Sequence, residues 1–184
     1  MLIFFSEWHE QLPPLTEADQ QFLDRLKQRY FYYAADGAIT EGTVNLILLA
    51  PLLEYLGLCD PPYKLRGEKF VRIEIESGAE RLQGLIDVLV VQQGFWLVLI
   101  ESKRYGFSVM QALPQTLAYM MANPQLESPG FGLITTGEDF VFVKLDLRSH
   151  QYDLSDKLTL STRQKNQLCR VVQMMKRLII KGEG

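Results

Sequence analysis

Three residues whose types suit hydrolytic chemistry fall close together in the middle of the chain. Asp87 interrupts the apolar run from Leu85 to Val91, and Glu101 and Lys103 follow directly on the next apolar run, Phe95 to Ile100. A carboxylate inside an otherwise apolar strand is costly unless it is paired or bound to a metal. Glu101 and Lys103 are two residues apart, so on a strand they share a face. Gln92-Gln93-Gly94, between the two runs, reads as a tight hairpin connection. The hairpin returns the second strand beside the first, which brings two acids and one ammonium together. Hard carboxylate oxygens suit Mg2+ or Mn2+ rather than zinc. An ion held there can polarise a phosphodiester and lower the pKa of a bound water. Lys103 can orient or deprotonate that water and stabilise the developing negative charge. The same residues also read as a surface ion pair, Glu101 with Lys103, beside an Asp87 at a strand margin.

The elements that must position these residues follow from the flanking pattern. Leu12-Pro13-Pro14-Leu15 is a break, and Thr16 with Asp19 forms a capping box that opens a helix. Its apolar stripe is Phe22, Leu23, Leu26, Tyr30 and Tyr33, and Asp36-Gly37 ends it. Thr40 caps a second helix, with Glu41 in the first turn and Val44, Ile47, Leu48, Leu52 and Leu56 as its stripe to Gly57. Pro51 predicts a kink there or a break into two helices. Past Asp60-Pro61-Pro62 the period changes. Val71, Ile73 and Ile75 alternate with Arg72, Glu74 and Glu76, a half-buried strand before a Ser77-Gly78 turn. The two runs around Asp87 and before Glu101 are apolar on both faces, as in the middle of a sheet covered on both sides. A helix over 108–121 follows, with Pro114 an awkward residue inside it. Strands over 131–135 and 140–147 flank the turn Gly137-Glu138-Asp139. An amphipathic helix over 162–180 closes the chain, with Leu168, Val171, Val172, Met175 and Leu178 on one side and many cations elsewhere. This order predicts an α/β, three-layer domain spanning 1–184, with a central mixed sheet of about five strands flanked by helices.

The 184 residues carry a net charge of −3, with a pI of about 5.5. That balance argues against a passive nucleic-acid coat, which neutralises phosphates with its own cations. An enzyme that reaches phosphate through metal ions and a local basic patch is still allowed. Lys64, Arg66, Lys69, Arg72, Arg81 and Arg104 either line a nucleic-acid edge or are solvated strand charges. The basic C-terminal helix either meets phosphate or packs with a solvated face. Tyr30 to Tyr33 reads as core by default, with a stacking platform or an interface as the alternatives. Cys59 and Cys169 have no metal-ligand spacing and read as two buried, reduced thiols. His9 and His150 belong to no ligand-spaced cluster. The apolar start, Met1 to Phe5, is too short for a signal peptide or a membrane span, so the cytoplasm is the expected location.

The stretches Gly84-Leu85-Ile86-Asp87 and Val98-Leu99-Ile100-Glu101-Ser102-Lys103-Arg104 resemble the signature of the PD-(D/E)XK, restriction-endonuclease-like nucleases. Three further pieces are similar to the N-terminal nuclease domain of type I restriction enzyme motor subunits. These are the helix from Glu41-Gly42-Thr43-Val44 to Gly57, the pair Gln115 and Tyr119, and Gly132-Leu133-Ile134-Thr135-Thr136-Gly137 before an aromatic strand. Together they span about residues 40–147. The resemblance implies a Mg2+- or Mn2+-dependent deoxyribonuclease, an endonuclease, with a restriction- or repair-related task. It implies that Asp87 and Glu101 hold the ion with the Ile100 carbonyl, that Lys103 is the catalytic lysine, and that Glu41 is a further ligand, direct or through water. Glu41 also reads as a helix-start carboxylate favoured by the macrodipole. Gln115 and Tyr119 would stand near the scissile phosphate or the lysine; they also read as a helix packed on the sheet with Tyr119 in the core. Ile86 replaces the signature proline, Ser102 stands where a hydrophobic residue or alanine is common, and Pro114 directly precedes Gln115. No Walker motif is present, so DNA is the expected partner together with a separate motor or specificity subunit. A homodimer is expected too, since cutting two strands with one site per chain takes two copies. The alternative is a non-catalytic member of the same fold that binds nucleic acid or protein; an RNA-directed nuclease is a third reading.

Overall fold

The alternating and double-apolar runs of the middle of the chain form one mixed sheet. The computed structural model describes residues 4–74, 81–92, 95–101, 108–122, 129–163 and 165–182, with backbone alone for 68–74, 81–89, 91–92, 95–101 and 182. Among these residues the sheet has seven strands: β1 (Lys64–Glu74), β2 (Arg81–Gln92), β3 (Phe95–Glu101), β4 (Gly130–Thr135), β5 (Asp139–Asp146), β6 (Gln151–Leu154) and β7 (Leu158–Thr159). Their order is β1-β2-β3-β4-β5-β6, with β7 paired to β5. All neighbours are antiparallel except β3 and β4, which are parallel. Parallel neighbours need a crossover, and α5 (Leu113–Met121), led in by a 3-10 turn over Val109–Ala112, lies between them in sequence. The remaining helices are α1 (Ser6–His9), α2 (Glu17–Ala34), α3 (Glu41–Val44), α4 (Ala50–Tyr55) and α6 (Leu168–Gly182). No helix among the described residues is long and apolar enough to cross a membrane.

The five expected strands are all present, and two short ones join them. β1 begins at Lys64, seven residues before the alternation that announced it, because its first half carries Lys64, Arg66 and Gly67 and no regular apolar face. The expected turn at Ser77-Gly78 and the middle of the 92–94 connection lie outside the described residues.

β4 and β5 show how the sheet is covered. On one face Phe131, Leu133, Phe140 and Phe142 join a core with residues of α1 to α4 and α6, including Leu23, Leu48, Leu52, Val171 and Met175. On the other, Ile134, Val141, Val143 and Leu145 pack with Val109, Ala112, Tyr119 and Met120. Period-two alternation thus feeds two helical layers. The expected stripe of α6 is buried throughout, whereas Tyr33 of the α2 stripe is exposed and meets Tyr32 edge-on. Cys59 is exposed and Cys169 half-buried, so the two thiols are free but not buried as expected.

Both prolines are resolved locally. Pro51 has no N–H for the Ile47 carbonyl four residues back. A single π turn over Asn45–Leu49 joins α3 to α4 there, and Arg29 Nη1 of α2 donates to that carbonyl at 3.3 Å. Pro114 falls in the first turn of α5, where a missing N–H costs nothing.

The N-terminal segment is held by charge as well as by Phe5 and Trp8, both buried. Lys144 of β5 is 7 % exposed and Glu7 5 % exposed. Lys144 Nζ donates to the two Glu7 carboxylate oxygens at 3.0 and 2.9 Å and to the Phe4 carbonyl at 2.8 Å. Burial pushes the Glu7 carboxyl up, but the Lys144 hydrogen bond, a backbone hydrogen bond and the charges of Lys144 and Lys181 outweigh it and hold the group below its ordinary value.

Two predictions follow from this packing. A Cβ on Gly132 would lie 2.9 Å from Thr116 Cγ2 and 3.0 Å from Met120 Sδ. Gly132→Ala is therefore expected to lower stability by about 1–3 kcal/mol, read from urea midpoints, and by less in a Thr116→Ser background that lacks the methyl. Glu7→Gln leaves a buried ammonium short of its counter-charge, at a cost of roughly 3 kcal/mol near neutral pH. Because the folded carboxyl titrates below its unfolded value, its contribution is present above about pH 4.3 and is lost as pH falls through the folded value. The gap between wild type and Glu7→Gln should accordingly narrow on acidification, and an equal gap at pH 7 and pH 2.5 would refute this account.

Candidate functional site

Backbone register places the first candidates. Val88 of β2 pairs with Leu99 of β3. Asp87 therefore stands one residue, and Glu101 two residues, beyond that pair on adjacent strands, with Ile100 between Leu99 and Glu101. On its other side β2 pairs Val88 with Gly67 and Ile86 with Lys69, so the position facing Asp87 on β1 is Glu68. Lys103 lies outside the described residues. Glu68 lies before the alternation from Val71 that marks this strand in the sequence.

This neighbourhood bears on the expected cation. Like charges facing each other across an antiparallel pair repel, and Glu68 and Asp87 hold such positions; a shared cation reverses that repulsion. The donors, carboxylates with a backbone carbonyl, are all oxygen, which fits Mg2+ or Mn2+. Among the described residues no group of three His, Cys, Asp or Glu side chains forms a rival metal centre.

Glu41 is reached through β4. Glu101 pairs with Thr135, the last residue of β4. Thr135 is buried, and its Oγ1 accepts from the Gly137 N–H at 2.9 Å. Gly137 has φ +84°, and a Cβ there would lie 2.9 Å from Val44 Cγ1 and 3.0 Å from Tyr30 Cε2. Only glycine satisfies both the left-handed backbone and the contact. Val44 is one helical turn after Glu41, and Thr40 fixes the helix start by accepting from the Thr43 N–H at 3.2 Å. The half-buried Glu41 thus sits at the end of the sheet that carries Glu101.

Gln115 and Tyr119 act as a pair, as their spacing predicted. Gln115 Nε2 donates to Tyr119 Oη at 2.8 Å. Gln115 is exposed, and Tyr119 is 4 % exposed within the core under α5. The core reading of Tyr119 therefore holds, and its hydroxyl holds the exposed amide.

The basic C-terminal helix is not a free phosphate surface. Arg170 Nη2 donates to the Trp8 carbonyl at 3.0 Å, and Arg177 pairs with Glu10. Lys181 lies 3.1 Å from Glu10 and 3.4 Å from Glu7. Lys176 Nζ is 3.1 Å from Tyr55 Oη and 3.7 Å from Asp19. The Tyr55 hydrogen bond, the backbone of Thr16 and the Lys176 charge pull the Asp19 carboxyl down to about 2. A hollow of about 430 Å3 between α2 and the start of α6, lined by Leu15, Asp24, Asn166, Cys169 and Gln173 among others, contains none of the candidate residues.

Comparison with known proteins sets this arrangement in context. Residues 73–151, somewhat under half of the chain, match the family model described as type I restriction enzyme R protein N terminus (HSDR_N). That stretch contains Asp87, Glu101, Lys103, Gln115 and Tyr119. No curated protein matches the chain. Among solved structures, a fragment assigned as an HsdR subunit of a type I restriction enzyme from Vibrio vulnificus YJ016 is similar, at 19 % identity and a TM-score of 0.45. The likeness covers 80 % of this chain and 27 % of that one, so the chain spans about a quarter of its length. Over residues 73–151, from the end of β1 to the start of β6, the chain resembles the N-terminal part of the type I restriction enzyme R protein.

Proposed function

We propose that this chain is a metal-dependent nuclease of the PD-(D/E)XK kind, with a three-layer restriction-endonuclease-like fold, that hydrolyses phosphodiester bonds in DNA in a restriction- or repair-related role. The observation that carries the reading is the register around Val88 and Leu99, which sets Asp87 and Glu101 on neighbouring strands just past one paired position. The family match over 73–151 supports it, since it spans the acids, the lysine and the Gln115–Tyr119 pair. Asp87, Glu101 and the Ile100 carbonyl would hold Mg2+ or Mn2+, with Glu41 as a further ligand. When bound, the ion supplies Lewis-acid polarisation of the phosphodiester and a bound water of lowered pKa. Lys103 orients the attacking water, takes up its proton or stabilises the charge that develops on the phosphate oxygens. Water forms a new P–O bond as the scissile P–O bond breaks, and the leaving oxygen takes a proton. Gln115, held by Tyr119, is the polar group of α5 available to a phosphate. DNA is the substrate in this reading, and a separate motor or specificity subunit is the partner.

A cleavage assay on supercoiled and linear DNA with Mg2+ or Mn2+ tests this. Wild-type cleavage is expected, with loss of at least a hundredfold in Asp87→Ala and Lys103→Ala, in line with removal of groups used in the transition state. Cleavage that persists in both variants would sink the assignment of the site. No cleavage, together with no Mn2+ binding that depends on Asp87, would sink the nuclease reading itself.

A further inference from the structure

The turn after β4 is built more tightly than a connection of its length requires, and its contacts run between the two acidic ends of the candidate site. Thr135 occupies the position beside Glu101 on the neighbouring strand, about 4.8 Å away across a sheet. Its hydroxyl is buried and accepts the Gly137 N–H at 2.9 Å. The Thr136 N–H donates to the Asp139 carbonyl at 3.1 Å, and Thr136 Oγ1 accepts the Asp139 N–H at 3.0 Å. The Glu138 carbonyl accepts the Leu160 N–H at 2.9 Å. The turn is therefore tied from within and from the segment after β7. Gly137 then lies so close to Val44 and Tyr30 that no side chain fits there. Val44 is three residues, about 4.5 Å of helix rise, from Glu41.

We propose that the Thr135–Gly137 turn is the positioning element of the metal site, locking the Glu41 end of its helix to the strand end that carries Glu101. The inference rests on the nuclease reading above and names residues to which that reading gives no role. Thr135 and Gly137 touch neither substrate nor ion in this account. They fix the distance between ligands contributed by a helix and a strand that lie far apart in sequence. Outer contacts of this kind set ligand geometry, and their loss commonly weakens metal binding by roughly ten- to a hundredfold.

The test is Mn2+ binding to the full chain by calorimetry without DNA, with urea midpoints measured on every variant. Thr135→Val keeps the shape and removes the hydroxyl, and should weaken Mn2+ binding roughly tenfold. Thr135→Ser should restore it. Glu41→Gln should weaken binding to a similar degree, and Glu41→Gln with Thr135→Val should be no weaker than Glu41→Gln alone, because the turn acts through Glu41. Val44→Ala, which loosens the same contact from the helix side, repeats the test should Thr135→Val fold poorly. Wild-type affinity in Thr135→Val, or losses that multiply in the double variant, would overturn the positioning role while leaving the nuclease reading intact. Mn2+ binding that ignores Asp87→Asn and Glu101→Gln would bring down the reading and the inference with it.

Discussion

At Gly132 the backbone of β4 meets Thr116 and Met120 of α5, and at Gly137, just past the end of the same strand, the chain meets Val44 and Tyr30. These two close approaches come from opposite helical layers. α5 joins the core that holds Ile134 and Val141, whereas Val44 and Tyr30 join the core that holds Leu133 and Phe142. β4 is thus the strand against which both layers are indexed. It is also the parallel partner of β3, the strand that ends in Glu101. Interiors this densely packed transmit a displacement rather than absorb it. Where α5 and the Glu41 helix stand relative to Glu101 is set by how closely each can approach β4.

The charges are distributed in a way that composition conceals. α6 looks like a basic surface in the sequence, yet Arg170, Lys176, Arg177 and Lys181 all find partners in the first 55 residues. The Lys144–Glu7 pair fixes the same N-terminal segment from the sheet side. A buried pair of this kind is weak evidence for net stability, because desolvation offsets much of the attraction. Its clearer effect is specificity. Lys144 sits where an apolar residue would continue the burial of β5, so the N-terminal segment has one docking register in which that ammonium is satisfied.

The sequence made some of this legible, and the reasons are local. The capping box at Thr16 and Asp19, the cap at Thr40 and the turn at Gly137 are short-range signals, and each appears where its residues predict. Apolar runs marked β2 to β5, and period-two alternation the second half of β1, since burial of both faces or of one writes itself into residue type. β6 and the first half of β1 escaped because exposed strands at a sheet margin carry no such pattern; β6 holds exposed Gln151 and Tyr152. The last helix starts at Leu168, six residues past the Thr162 that its pattern suggests, because Thr162 bonds to the Thr159 and Lys165 carbonyls instead of capping a helix. Tyr33 fitted the stripe of α2 by spacing, but the helix outruns the core it packs on. For the proposed site, residue types and strand order single out Asp87 and Glu101, and the register sets them on neighbouring strands. Glu68 and Thr135 were out of reach because each owes its place to register across strands far apart in sequence.

The acidic balance of the chain and the polyanion it is proposed to cut are reconciled at the same end of the sheet. Asp87 faces the position of Glu68 on β1 and stands one residue from the register of Glu101 on β3. In the proposed site a bound divalent cation would invert the local charge logic and make the acidic positions a locus for phosphate. Acidic ligands would then be a condition of anion binding rather than an obstacle to it. Cations on the protein are needed only to track the backbone beyond the site. Lys64 and Arg66 are exposed on β1, the edge strand next to β2. A nucleic acid laid along that edge would meet protein cations first and the proposed metal site at the neighbouring strand, with affinity that falls steeply as salt rises.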